Sequence, residues 1–189
     1  MSGTDAGSEV DILIVEQALR FATEKHLGQF RNGTGGAYIK HPIETEKILR
    51  EEFGFADPYV CSAALLHDVL EDTNTTYAQL YQRFGSYVAG IVDLLTKTSE
   101  ESYRSKRFYA RLALAADEVV AVKAADRISN LRSMQYSGWT LERVQAYLVD
   151  SRELETLVSE RGLDIVHHRL REAIDQVEVD VGEDVCLSR

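Results

Sequence analysis

The stretch "AALLHDVLEDTNTT", residues 63 to 76, places an imidazole and three carboxylates, His67, Asp68, Glu71 and Asp72, directly behind an apolar run. On one continuous helix His67 and Glu71 are four apart, and Asp68 lies three from Glu71 and four from Asp72, so all of them share one helix end. Carboxylates at a helix C-terminus oppose the helix dipole. These also follow Ala63, Ala64, Leu65 and Leu66, the part of the segment best suited to burial. Burying a carboxylate is costly unless positive charge meets it. A divalent cation answers both objections. A solvated helix end is the alternative, and a lone His-Asp dipeptide would be read that way.

A cation needs ligands from elsewhere in the chain. His41 ends the glycine-rich loop "RNGTGGAYIKH", and Asp126 interrupts the otherwise apolar helical face of "AVKAADRISNL". Alone, either is an ordinary surface or capping residue. Together with His67 and Asp68 they make a mixed nitrogen and oxygen set, which suits Mn, Fe, Ni or Zn. Coordination positions left to water and substrate are what metal-assisted hydrolysis requires.

The order His41, His67-Asp68, Asp126 resembles the H…HD…D signature of HD-domain metal phosphohydrolases. More narrowly, "HLGQFRNGTGGAYIKHPIE", "AALLHDVLEDTNTT" and "VKAADRISNLRSM" are similar to the successive motifs of the alarmone (ppGpp) hydrolases, which comprise the hydrolase half of RelA/SpoT-type proteins and the stand-alone small alarmone hydrolases. The likeness runs from about residue 12 to about residue 160. The chain ends where the long enzymes continue into a synthetase domain, so a stand-alone hydrolase is expected.

The resemblance implies one Mn2+ held by His41, His67, Asp68 and Asp126, and removal of the 3′-pyrophosphate from guanosine 3′,5′-bis(diphosphate) or its pentaphosphate relative, giving GDP or GTP. Glu71 and Asp72 would orient and deprotonate the attacking water, a role open to carboxylates beside a cation. Arg31 would lie against the guanine base, since a guanidinium plane stacks well on aromatic faces. Two departures stand out. Asn32 occupies a position that is often Lys, which would remove a phosphate-facing charge, and Ala37 replaces the usual proline before Tyr38-Ile39. Tyr38 either lines the pocket or packs. Asn130, one turn after Asp126, has a family counterpart that contacts the nucleotide, and Ser133 lies one turn further on. In "GWTLERVQAYL", Arg143 and Tyr147 are four apart and resemble residues that reach the nucleotide in stand-alone enzymes; a helix-surface contact is the alternative. The same chemistry on an adenosine alarmone or NADPH, and a nucleotide-binding regulator without turnover, are the rival functions.

These residues need a scaffold. A chain of 189 residues can bury a core as one domain, and 44% apolar with 28% charged residues is ordinary for a soluble globular protein. No run reaches the ~18 apolar residues of a membrane span. "MSGTDAGSEVD" has no basic or apolar signal-peptide region, and Cys61 and Cys186 form no disulfide framework, so a reduced cytoplasm is expected. The net charge of -10 opposes general binding to nucleic acid, whereas a local basic pocket or a cation can still hold an anionic nucleotide. Whether the chain forms a homo-oligomer stays open.

Apolar positions recur at three- and four-residue spacing, which predicts an all-α HD-domain bundle of about eight to ten helices. Asp57-Pro58 reads as an N-cap with proline at the first helical position, Thr76 and Gln79 as a capping box, and Gly85 as a helix stop. The expected division is a flexible N-terminus over 1–8, the phosphohydrolase domain over 9–177 and an acidic C-terminal tail over 178–189. Arg104, Lys106 and Arg107 form a basic patch that could attract pyrophosphate or simply be solvated. His167-His168 lacks acidic partners, and its neighbours diverge on a helix. Trp139 and Cys61 are expected to pack.

Overall fold

The structure, a computed structural model, describes residues 6–31, 35–97, 106–134 and 138–187, with side chains between 13 and 181. It is all-α. The elements are α1 (Ala6–Lys25), α2 (Lys40–Lys47), a π-helical turn (Ile48–Glu52), α3 (Pro58–Leu66), α4 (Val69–Asp72), α5 (Tyr77–Leu95), α6 (Lys106–Ala113), α7 (Asp117–Arg132), α8 (Leu141–Glu160) and α9 (Asp164–Leu187). An antiparallel bridge between Phe30 and Ala37 ties the base of the glycine loop.

The expected caps set the helix starts. The Asp57 carboxylate accepts from the backbone N–H groups of Tyr59 and Val60 at 2.9 and 3.0 Å, with Pro58 supplying a preset φ at the first turn. Thr76 and Gln79 form the reciprocal capping box of α5. Gly85 bends that helix rather than ending it: it adopts φ 81°, which glycine tolerates without a side-chain clash, and the helix resumes beyond it.

The core forms around α3 and α7. Every residue of α3 from Val60 to Leu66 is buried, as is all of α7 from Val119 to Ser129. A helix apolar all round must lie inside a bundle. Accordingly α3 packs on α1, α2, α5 and α7, while α7 packs on α2, α8 and α9. The junction of α2, α3 and α7 is therefore where polar residues carried by these helices must meet.

One expectation needs correcting. The helix predicted to run through Asp72 breaks at His67-Asp68: α3 ends at Leu66, and Asp68 takes φ −100°, ψ −5° as the N-cap of α4. Glu71 and Asp72 thus lie in a new first turn, and the argument from a helix C-terminus does not apply to them. The argument from burial does. At the other end, α9 continues to Leu187. Val177 and Val181 extend the apolar face of Leu170, Ala173 and Ile174, and Val181 packs partly against the core. The first helix begins at Ala6.

Helices α7 and α8 are joined by a buried ion pair. The side chains of Arg127 and Asp150 are 2% and 3% exposed, and the guanidinium also donates to the Ser151 hydroxyl at 3.1 Å. It lies 4.1 Å from the centre of the Tyr147 ring, which it backs. Removing one partner strands a buried charge, so Asp150→Ala should destabilise the fold by about 3–5 kcal/mol in denaturant unfolding. A loss below about 1 kcal/mol would show that the guanidinium finds other partners.

Candidate active site

Three segments converge on one point. His41 is the second residue of α2, His67 and Asp68 form the break between α3 and α4, and Asp126 lies in α7. The His41 Nε2 is 3.1 Å from Asp126 Oδ1 and 3.5 Å from Asp68 Oδ2. The His67 Nε2 is 3.0 Å from Asp68 Oδ2 and 3.7 Å from Asp126 Oδ1. Each ring nitrogen thus faces one oxygen of both carboxylates, and His41, His67 and Asp68 offer ligand atoms close enough together to share an ion.

The electrostatics explain why. The Nδ1–H of His67 donates to the Ala64 carbonyl at 2.8 Å, which directs Nε2 into the site, where it is buried and faces Asp68 and Asp126. A buried imidazole nitrogen so oriented, beside two carboxylates, suits a metal ligand. In the ion-free protein, burial disfavours the charged ring, but Asp68 and Asp126 outweigh it and push the His67 pKa up to about 10. Burial likewise opposes charge on Asp68 and Asp126. The charge and hydrogen bond of His67 hold the Asp68 carboxyl below the usual range, and Lys123, 2.7 Å away, does so for Asp126. A proton on the imidazole thus occupies the electrostatic role of a cation, and ion binding must release it.

A second group of side chains surrounds this centre. The Tyr38 hydroxyl lies 2.6 Å from Asp68 Oδ2 and 2.8 Å from Asp72 Oδ2, where its one proton is shared between them. Burial and these two carboxylates push the phenol far above its ordinary pKa, so it remains a donor. Burial and the charge of Asp68 push the Asp72 carboxyl up. Glu71 accepts from Lys97 twice, from its ammonium at 3.2 Å and its backbone N–H at 3.2 Å. Arg31 donates to the Asn130 side-chain carbonyl at 2.6 Å, and the Asn130 amide donates to Asp126 Oδ1 at 2.6 Å. Tyr38, Glu71, Asp72, Lys97, Lys123, Asn130 and Tyr147 line a cavity of ≈ 100 Å³ with the four facing groups. A larger cavity of ≈ 550 Å³, between α7, α8 and α9, shares no residue with it.

The structure therefore gathers Arg31, Tyr38, Asn130 and Tyr147 around the centre and leaves two expected residues outside. The Ser133 hydroxyl turns back onto the Ser129 and Asn130 carbonyls at 3.1 and 3.0 Å, ending α7. Arg143 is exposed and stacks 4.0 Å over the Trp139 ring, because one turn of α8 separates it from the buried face that carries Tyr147. Asn32 and Arg104 lie outside the described residues, while Lys106 and Arg107 are exposed on α6. His167 and His168 pair with different acids, Glu155 and Glu172. Lys97 and Lys123 were missed by sequence reasoning. Lys123 carried a signal, three residues before Asp126 on one helix; Lys97 carried none, since only folding brings it to Glu71.

The HD domain family model matches residues 18–148, more than half of the chain and all four facing residues. This chain belongs to the HD-domain family. Among HD-domain relatives, guanosine-3′,5′-bis(diphosphate) 3′-pyrophosphohydrolase MESH1 of Xenopus tropicalis is 34% identical over 178 residues, covering 91% of this chain and 97% of that one. The guanosine-3′,5′-bis(diphosphate) 3′-pyrophosphohydrolase of Aquifex aeolicus is 40% identical over 125 residues, which are 64% of this chain and 18% of its own length. A solved structure of a metazoan ortholog of SpoT, reported to hydrolyze ppGpp and to play a role in starvation responses, overlays with a TM-score of 0.78. It has 28% sequence identity to this HD-domain chain, over 93% of this chain and 98% of that one.

Proposed function

We propose that this chain is a Mn2+-dependent hydrolase that removes the 3′-pyrophosphate from guanosine 3′,5′-bis(diphosphate) or its pentaphosphate relative. The observation that carries this reading is the convergence of His41, His67, Asp68 and Asp126 beside a carboxylate pair, in a chain that matches MESH1 over 97% of the latter's length. Those four residues would hold the ion, and their mixed donor set fits Mn2+. When bound, such a cation polarises phosphoryl oxygens and acidifies water.

The remaining steps belong to the chain's own side chains. Glu71 and Asp72 orient the attacking water and take its proton. Burial and the charge of Asp68 push the Asp72 carboxyl up, towards the working range of a base. The Tyr38 hydroxyl steadies it. Water oxygen bonds to the 3′-phosphorus, the bond from phosphorus to the ribose O3′ breaks, and O3′ leaves as a hydroxyl, the proton surrendered by the water balancing the one that O3′ gains. Lys97 and Lys123 face the same cavity, where their charge can offset that of the phosphates. A volume of ≈ 100 Å³ suits an ion, a water and a phosphoryl group rather than a nucleotide, so the nucleoside extends outwards past Arg31, Asn130 and Tyr147. Arg31 is the residue for the base. No helix among the described residues is long and apolar enough to cross a membrane, and Cys61 is buried as a free thiol whose pKa burial pushes up to about 11.

Incubation of the purified protein with Mn2+ and ppGpp, followed by nucleotide separation, should yield GDP and pyrophosphate in equal amounts. Absence of pyrophosphate with every divalent cation tried would overturn the assignment. Parallel assays on pppGpp, an adenosine alarmone and NADPH rank the substrates.

A further inference from the structure

We propose that Glu44 and Ser129 act as paired positioning residues that fix the His41 imidazole with a bare Nε2 aimed at the cation, an inference that rests on the proposed metal site. The Nδ1 of this buried ring has two polar neighbours, the Ser129 hydroxyl at 2.9 Å and the Arg31 guanidinium at 3.2 Å. They favour opposite tautomers. A guanidinium can only donate, so a bond from Arg31 would demand a lone pair on Nδ1 and move the ring proton to Nε2. A protonated Nε2 cannot ligate a metal. A hydroxyl can donate or accept, and by itself leaves the matter open.

Glu44 decides it. The Ser129 hydroxyl, on a residue with no exposed surface, donates to Glu44 Oε2 at 3.1 Å, and an ionised carboxylate can only accept. With its proton committed there, the hydroxyl presents a lone pair to His41, which is filled by an Nδ1–H. The ring proton then sits on Nδ1, and Nε2 faces Asp126 and Asp68 with its lone pair free. Arg31 is satisfied elsewhere, through Asn130 at 2.6 Å. A carboxylate acting through a donor to orient a ligating histidine is a recurring design in metal sites.

The two imidazoles are thus anchored by different means. His67 donates to the main-chain carbonyl of Ala64, one turn away, which no side-chain change removes. His41 depends on side chains from two helices. Glu44 lies three residues after His41 on α2, and Ser129 three after Asp126 on α7, so the relay also ties the helix carrying one ligand to the helix carrying another.

The test is Mn2+ affinity by calorimetric titration, with melting of the ion-free protein as the control for folding. Ser129→Ala should bind Mn2+ roughly 10- to 100-fold more weakly. Glu44→Ala should show a smaller loss, and Glu44→Gln should bind like the wild type, because its amide oxygen still accepts from the hydroxyl. The double variant S129A/E44A should be no weaker than S129A, since the two residues act in series. Glu44 is partly exposed, so the contrast between its Ala and Gln variants stands even if S129A folds poorly. Unchanged affinity in both S129A and E44A, or additive losses in the double variant, would overturn the relay while leaving the metal site intact. A wild-type chain that takes up no divalent ion would overturn both.

Discussion

Asp68→Ala is expected to lose divalent-cation binding and ppGpp turnover together. The Asp68 Oδ2 lies 3.0 Å from the His67 Nε2 and 3.5 Å from the His41 Nε2, closer to both imidazoles than the Asp126 Oδ1 is to His67. Burial pushes the pKa of this carboxylate up, but the charge and hydrogen bond of His67 outweigh it and hold it below the usual range, so it presents negative charge to an incoming ion. Its loss removes one of two carboxylates from a site that must compensate a dication. Affinity should fall by more than the roughly 100-fold typical of an outer-shell change. A cation provides several kcal/mol of charge stabilisation at phosphorus, so the rate should drop by about 10³-fold or more. Metal content and pyrophosphate release, measured on one preparation whose melting shows it folded, check both halves. A D68A protein with wild-type metal content would remove the basis of the site.

The second large effect separates binding from chemistry. Glu71 is not among the facing ligand atoms; it points to the Lys97 ammonium and backbone N–H. In Glu71→Gln the side-chain carbonyl can still accept from that N–H, so the local structure and the ion should persist. What disappears is a carboxylate able to orient water and accept its proton, a contribution of about 10²–10⁴-fold to rate. The turnover number should carry the loss while KM changes little. Normal turnover in E71Q would contradict the role given to that carboxylate. Together the two variants distinguish an enzyme from a nucleotide-binding regulator, since a regulator would lose ligand binding in neither pattern.

Much of this architecture was written locally. The three- and four-residue spacing of apolar side chains, the Asp57-Pro58 start and the Thr76–Gln79 box each act within one or two turns, so the sequence states them openly. The acids behind the apolar run, among them Asp68, stand out in the sequence because a buried carboxylate is costly without a partner, whereas His41 and Asp126 were joined to them through the resemblance to the HD-domain signature. The choice among outlying polar residues was harder. Tyr147 turned out to line the cavity, whereas Arg143, one turn away, stacks on Trp139. Helical spacing alone placed them on similar faces, and only the docking of α8 against α7 through Arg127 and Asp150 told them apart.

The chain by itself determined which segments are helical and which residue types are available for chemistry, because propensity, capping and burial are settled by near neighbours. Packing decided the rest. The break at His67-Asp68 and the reach of Lys97 to Glu71 and of Tyr38 to two carboxylates depend on atoms brought together from distant positions. Such contacts are set by how α2, α3 and α7 cross, a long-range geometry that no local pattern encodes.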